Sequence, residues 1–307
     1  MKRVLIWGFY HQGNLGDDLM AAIFYEILEE IGHAPLIYSA NPRFKKMGYK
    51  AVSCFQDVEV DAIFLGGGAF FKEANSSNSE IEEAITQLAF FVKEKRLPIF
   101  GLSLGSDGVK MLPQVSVARR MIIESQYFQG AVVRLKRDLK LGVRNLYYLP
   151  DIVLLTNDCC EKYSRLNPID PGINSPEFLI NLSRRSILHL PEALWMSKGM
   201  KTAFFHAHTG IKKTGGEIGL PILPLINNDN ICIELGYLSR AKMILSSKLH
   251  PGIIAMSFGT RFIPVAARDK VKEFIFQFEN VILEDKAERI RVRDNYLTHI
   301  KKFLDSI

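Results

Sequence analysis

The chain alternates short apolar runs with longer stretches of helical period. Arg3–Trp7 is such a run, ending at Gly8, and it reads as a first buried strand. Residues 35–38, 61–65, 98–104, 131–134 and 146–149 repeat the type. Between them apolar residues recur at helical spacing. Leu19, Ile23, Ile27, Leu28 and Ile31 predict a helix over 17–31, and Ile81, Ile85, Leu88, Ala89 and Val92 predict one over Ser79–Lys95. A further helix is expected over 115–126. Strands and helices alternating across short loops predict a doubly wound parallel sheet, an α/β fold. Residues 157–176, rich in Pro, Asn and Asp, read as a linker region. The alternation then resumes, with strands over 178–182, Thr202–Phe205, 222–225, 243–245, 262–265 and 281–283. The expectation is two Rossmann-like domains, 1–156 and 177–307, facing a cleft.

Composition narrows the class. The 307 residues are 48% hydrophobic and 23% charged, an ordinary globular balance. No apolar run approaches the roughly 20 residues of a membrane span, and the first one reaches Gly8 too soon for a signal peptide. Cys54, Cys159, Cys160 and Cys232 lack a zinc-ligand spacing, so reduced thiols in a cytoplasmic protein are expected. The net charge of +6 favours anionic partners: phosphorylated substrates, acidic glycans or an anionic membrane face. No aromatic-basic motif for nucleic acid accompanies it. A last helix over 287–304 carries Arg289, Arg291, Arg293, Lys301 and Lys302. It reads as a solvated basic face beside a packed stripe of Ile290, Tyr296, Ile300 and Leu304, with peripheral membrane docking as the alternative.

Several loops could carry chemistry. Gly13-Asn14-Leu15-Gly16-Asp17-Asp18 follows the first strand and opens a helix. It is not a dinucleotide fingerprint, because His11 stands where the first glycine is required. Nor is it a P-loop, because Asn14-Leu15 replaces the Lys-Ser/Thr pair. Asp17 and Asp18 occupy the positive helix end and argue against a phosphate there. Asp17 reads either as an N-cap or as a base beside acceptor hydroxyls held by the loop. Gly66-Gly67-Gly68 ends a strand, either as a tight turn or to let backbone approach a ligand. Gly101-Leu102-Ser103-Leu104-Gly105 matches a nucleophile elbow, and Asp151 and His250 follow in hydrolase order. The helix an elbow needs at once is missing, since Ser106-Asp107-Gly108 continues the loop.

Arg134 closes a strand, where a guanidinium can hold a carboxylate or phosphate through two parallel bonds. His206-Ala207-His208 puts two imidazoles on one side, but no nearby carboxylate or cysteine completes a metal site. His250 stands at a strand-to-helix junction beside Lys248. The helix N-terminus and the lysine both favour the neutral imidazole, which suits a general acid/base.

Taken together, these segments resemble the polysaccharide pyruvyl transferase family. The resemblance runs through Gly13 to Asp18, Gly66-Gly67-Gly68, the Gly101–Gly105 stretch, Val133-Arg134, Pro150-Asp151 and Ser247-Lys248-Leu249-His250 on to Lys270. It implies a fold like the GT-B glycosyltransferases, phosphoenolpyruvate as donor and a cell-surface sugar, free or lipid-linked, as acceptor. By position, His250 looks like the family's general acid/base and Arg134 like a donor clamp. The family usually has arginine two residues before the histidine, and Lys248 here keeps the charge without the fork. The expected site is therefore His250 and Asp17 for proton transfer. Arg134, Lys248, Lys270, Asn14, Gly67, Gly68 and Ser103 would bind substrate, with no metal or other cofactor. Two alternatives stand beside it: a nucleotide-sugar glycosyltransferase, with Glu234 as the carboxylate for a ribose, and a non-catalytic glycan binder.

Overall fold

Two parallel sheets set the architecture. The structure, a computed structural model, describes residues 1–56, 58–73, 79–209, 216–266, 272–275 and 285–307. The strands of the first lobe are β1 (Arg3–Trp7), β2 (Ala34–Tyr38), β3 (Ala51–Val52), β4 (Ala62–Gly66), β5 (Phe71–Lys72), β6 (Ile99–Leu104), β7 (Ser106–Asp107), β8 (Phe128–Val133) and β9 (Leu146–Tyr148). Seven of them form one sheet in the order β3-β2-β1-β4-β6-β8-β9, while β5 and β7 pair separately. The second lobe has β10 (Phe178–Asn181), β11 (Thr202–Phe205), β12 (Leu225–Ile226), β13 (Met243–Ser246) and β14 (Arg261–Pro264), in the order β12-β11-β10-β13-β14. Val4 to Trp7 and Ala62 to Gly66 are buried without alternation, as strands covered by helices on both faces require.

Helix Leu15–Glu30 sits between the lobes and is buried from Leu15 to Leu28. Its side chains belong to a core that continues into Leu179, Phe205, Leu235 and Ile253 of the second lobe, so one hydrophobic core crosses the interface. The helix starts two residues before the expected position, because Asn14 caps it by accepting from the Gly16 N–H at 3.2 Å. Asp17 is therefore not the N-cap. It lies in the first turn, where its Oδ2 accepts from the Asn14 amide at 2.6 Å.

Helix Ser79–Lys95 and strand β11 have their expected bounds. The run 222–225 yields only the short edge strand β12; Pro224 within it and Pro221 just before it cannot donate to a ladder. The helix expected over 115–126 contracts to Val117–Ile123. The strand expected over 281–283 lies outside the described residues. The polar stretch 157–176 holds most of helix Thr156–Lys162 and a turn in which Arg165 pairs with Glu26 and Glu29 of the central helix.

The terminal helix, Lys286–Asp305, packs on the first lobe although it follows the second in sequence. The Tyr296 hydroxyl donates to the Pro150 carbonyl at 2.8 Å, and the Phe303 ring lies 5.1 Å from Phe64. Its basic face is only partly free, because Arg289 pairs with Asp158 and Arg293 with Glu30. Ile290, expected in the packed stripe, is 45% exposed; Val292 and Phe303 are buried beside Tyr296, Ile300 and Leu304 instead. Among the described residues no helix is long and apolar enough to cross a membrane.

Candidate functional site

Open parallel sheets bind ligands beyond their strands' carboxyl ends, where the strand order reverses. In the first sheet that point lies between β1 and β4, and in the second between β10 and β13. The loops leaving these strands meet in a cavity of about 740 Å³ between the lobes. Backbone seals one edge of it: Leu15 N–H donates to the Ala207 carbonyl at 2.8 Å and Thr209 N–H to the Gly13 carbonyl at 2.9 Å.

Four residues from both lobes form a hydrogen-bonded chain that runs from the cavity, at His250 and Arg134, into the buried Asp151 and Ser103. Arg134 Nη1 donates to Asp151 Oδ2 at 2.7 Å and to His250 Nε2 at 2.8 Å. Ser103 Oγ donates to the other Asp151 oxygen at 3.2 Å. A guanidinium can only donate, so Nε2 presents its lone pair and the ring proton sits on Nδ1. That nitrogen faces Asp17, whose Oδ1 is 4.0 Å away and has no hydrogen-bond partner among the described residues. Burial would raise the Asp151 carboxyl, but the charge of Arg134 and the contact with His250 hold it well below the ordinary range. Asp151 stays an anion and fixes the guanidinium.

Small residues make this chain possible. A methyl group on Gly16 would overlap the His250 ring, so only glycine lets the imidazole rest on the start of the central helix. A methyl group on Gly105 would come within 2.6 Å of Arg134 Nε.

A second cluster reaches the cavity through Lys248 and His208. Lys248 Nζ lies 3.0 Å from His208 Nδ1 and 3.5 Å from Glu217 Oε1. Glu217 also accepts from the Ala207 and His208 N–H groups, at 3.0 and 3.1 Å, and from Asn181 at 2.6 Å. Burial pushes its carboxyl up, but the His208 bond, the Lys248 charge and Asn181 reverse this and hold it at about 2. Lys72, Arg134, Arg184, Arg185 and Lys248 all line the cavity, against the single carboxylate of Asp17 among the described residues. The potential there is positive and suited to a multiply charged anion.

The expected residues divide accordingly. Asn14, Asp17, Gly68, Arg134, Lys248 and His250 line the cavity. Gly67 and Ser103 do not. Gly67 turns the chain at φ +69° with Met20 against it, and Ser103 is wholly buried on Asp151. Lys270 lies outside the described residues. Ser103 meets Asp151 rather than His250, so the hydrolase arrangement of serine on histidine is absent here. Of the two neighbouring histidines, His208 lines the cavity and His206 does not. Among the described residues no cluster of His, Cys, Asp and Glu could hold a metal ion.

Glu234 is also not in the cleft. It is fully buried with its Oε2 2.7 Å from Arg43 Nη2, and Arg43 Nη1 lies 2.7 Å from Asp18. This triad ties the lobes together and removes the carboxylate proposed for a ribose.

Glu217, Arg184 and Arg185 went unnoticed in the sequence. Glu217 lies in an aperiodic Gly-Gly-Glu stretch with no signal of its own. Arg184-Arg185 come after β10, beyond Leu182 and Ser183, so they do not adjoin the strand as Arg134 adjoins β8.

Residues 14–269 match the family model of polysaccharide pyruvyl transferase. No curated protein matches the chain in sequence. Among solved structures, the chain resembles UDP-GlcNAc 2-epimerase from Neisseria meningitidis bound to UDP-GlcNAc, with TM-score 0.55, 11% identity and full coverage of both chains. It resembles S. aureus MnaA with UDP at TM-score 0.56 and 11% identity, covering 100% of this chain and 98% of that one. UDP-N-acetylglucosamine 2-epimerase from Rickettsia bellii follows at TM-score 0.51 and 12% identity, covering 98% of each chain. These likenesses establish the fold, two Rossmann-like lobes in the GT-B arrangement.

Proposed function

The chain belongs to the polysaccharide pyruvyl transferase family, and on that premise we propose that it moves the pyruvyl group of phosphoenolpyruvate onto a surface-polysaccharide sugar or its lipid-linked precursor, closing a cyclic ketal. The observation that carries this reading is the 2.8 Å contact of His250 with Arg134 across a cation-lined cleft. It supports a site where one imidazole handles protons beside a bound anion.

The geometry supports the following roles. Arg134, Lys248 and, on the resemblance alone, Lys270 hold the donor's carboxylate and phosphate. As the anion engages Arg134, His250 Nε2 is released to take up a proton. The doubly protonated ring gives that proton to the donor's methylene carbon, forming a C–H bond and leaving the central carbon cationic. A sugar hydroxyl adds there, and its proton passes to Asp17. The carbon–oxygen bond to phosphate breaks, and phosphate departs with the electron pair into the cationic wall. A second hydroxyl closes the ketal and returns a proton to His250. Asp17 passes the remaining proton to the departing phosphate. Asn14 and the Gly68 backbone, which also line the cavity, would hold the acceptor. The scheme balances without a metal or redox cofactor, and the reduced-cysteine expectation fits a cytoplasmic site of action.

The test is incubation with phosphoenolpyruvate and candidate saccharides, free and lipid-linked, scoring phosphate release and pyruvylated product by mass spectrometry. The wild-type chain should release phosphate only when an acceptor is present, and His250→Ala should lower the rate on the order of 100-fold or more. Undiminished release by that variant would remove His250 from the chemistry. Turnover of a UDP-sugar instead would establish glycosyl transfer, and saccharide binding without turnover of either donor would establish a binding protein.

A further inference from the structure

We propose that residues 184–198 form the face by which the protein docks on an anionic bilayer, setting the cleft mouth against the membrane surface. A 3-10 segment, Arg184–His189, kinked at Ser186, runs directly into helix Leu190–Met196. Together they make one amphipathic strap on the second lobe. Ser186, Leu190, Ala193 and Ser197 are its buried stripe, and Leu190 and Ala193 pack into the second lobe's own core. Arg184, Leu188, Pro191, Trp195 and Lys198 along it are all exposed. Leu188 is 88% exposed and Trp195 78%, with Ile187 at 45% beside them.

Cations flank large apolar side chains on this surface. The pattern suits the interfacial layer of a membrane, where tryptophan and leucine enter the acyl boundary and arginines reach the headgroups. Arg184 and Arg185 have no charged partner among the described residues, and both also line the cleft. The one carboxylate on the strap, Glu192, is engaged by His189 at 3.2 Å. The terminal helix is richer in arginine, yet Arg289 and Arg293 are spent on Asp158 and Glu30. Charge also argues against a second copy as occupant. A two-fold contact through this strap would set its cationic ends against each other in a chain of net charge +6. An anionic bilayer complements both the exposed apolar side chains and the cations beside them. The inference rests on the pyruvyl-transfer reading only for what the membrane delivers, a lipid-linked acceptor entering beside Arg184 and Arg185.

The experiment is co-sedimentation of the full chain with phosphatidylcholine vesicles, with and without phosphatidylglycerol, followed also by tryptophan emission. The chain has two tryptophans, and Trp7 is buried, so a change of environment reports on Trp195. The wild-type chain should bind phosphatidylglycerol vesicles, with blue-shifted emission and loss of quenching by acrylamide, and release them at high salt. Leu188→Ser with Trp195→Ser should keep the melting temperature and weaken vesicle binding at least tenfold. Arg184→Ala with Arg185→Ala should weaken it and flatten its salt dependence. The Ser variant should also keep the wild-type rate of phosphate release on a water-soluble acceptor and lose rate on a vesicle-embedded one. Vesicle binding needs no turnover, so an inactive chain that still docks separates this proposal from the proposed chemistry. Failure of the wild-type chain to bind, equal binding by the Ser variant, or a dimer in sedimentation velocity that the Ser variant dissolves would each overturn it.

Discussion

Arg134 donates across the cleft to His250 at 2.8 Å, and the same nitrogen is 2.7 Å from Asp151 behind it. The imidazole's orientation is thus set by a carboxylate that never reaches the cavity. Removing the guanidinium leaves Asp151, which is wholly buried, without its counter-charge. Arg134→Met should cost about 3–5 kcal/mol of stability in urea unfolding, the usual consequence of orphaning a buried ion. Adding Asp151→Asn should recover most of that stability while phosphate release stays lost. A double variant no more stable than the single one would show that the pair is not coupled as the geometry requires.

Gly16 gives a sharper test, because helix propensity and packing oppose each other there. Alanine in a helix is worth about 1 kcal/mol over glycine. At this position its methyl group would overlap both the ring and the Cβ of His250. Gly16→Ala should therefore lower the melting temperature despite the propensity gain and reduce turnover on the order of 100-fold. A chain that is more stable and equally active would mean that His250 does not sit against this helix.

Continuous apolar runs marked β1, β4, β6 and β10, since strands covered on both faces need no alternation. The two-residue strands β3, β5 and β7 are too short to carry a pattern. Arg134 was legible because it directly follows β8, Lys248 and His250 because they stand at the junction of β13 with the next helix, and Asn14 and Asp17 because the loop after β1 opens the central helix there. Ser103 was misleading for a physical reason: it shares that edge but holds a positive φ of 54° and turns onto Asp151. Glu217 was invisible because its role comes from tertiary neighbours, Lys248, His208 and Asn181, which no local spacing encodes.

Lys248, held by His208 at 3.0 Å and Glu217 at 3.5 Å, lines the same cavity as Arg134. An arginine there could keep one edge on Glu217 and offer the other to the donor, gaining the fork a lysine lacks. Lys248→Arg should lower the KM for phosphoenolpyruvate severalfold with kcat little changed, a signature of uniform binding. Steady-state kinetics at saturating acceptor decides this. An unchanged or higher KM would take Lys248 out of the donor clamp.

The triad of Asp18, Arg43 and Glu234 makes stability depend on pH on the alkaline side. One guanidinium serves two fully buried carboxyls, and Asp18 Oδ1 and Glu234 Oε1 have no hydrogen-bond partner among the described residues. Burial raises Asp18 to about 7 against the pull of Arg43, with Asp17 adding to the rise. Burial raises Glu234 to about 8, again against Arg43, with Asp18 and Glu217 adding. In the unfolded chain such carboxyls titrate near ~4. Between these limits the folded state holds more protons, so its stability falls as pH rises. That contribution is complete below the unfolded value and is lost as pH passes through about 7 and about 8. Glu217, held at about 2, and Asp151 act oppositely and lose their contributions only as pH falls below the ordinary carboxylate range. The melting temperature should therefore fall between about pH 5 and about pH 9. Glu234→Gln, which keeps an oxygen for Arg43 but has no proton to release, should flatten that fall. A wild-type profile already flat across this window would mean that the triad carries no shared proton.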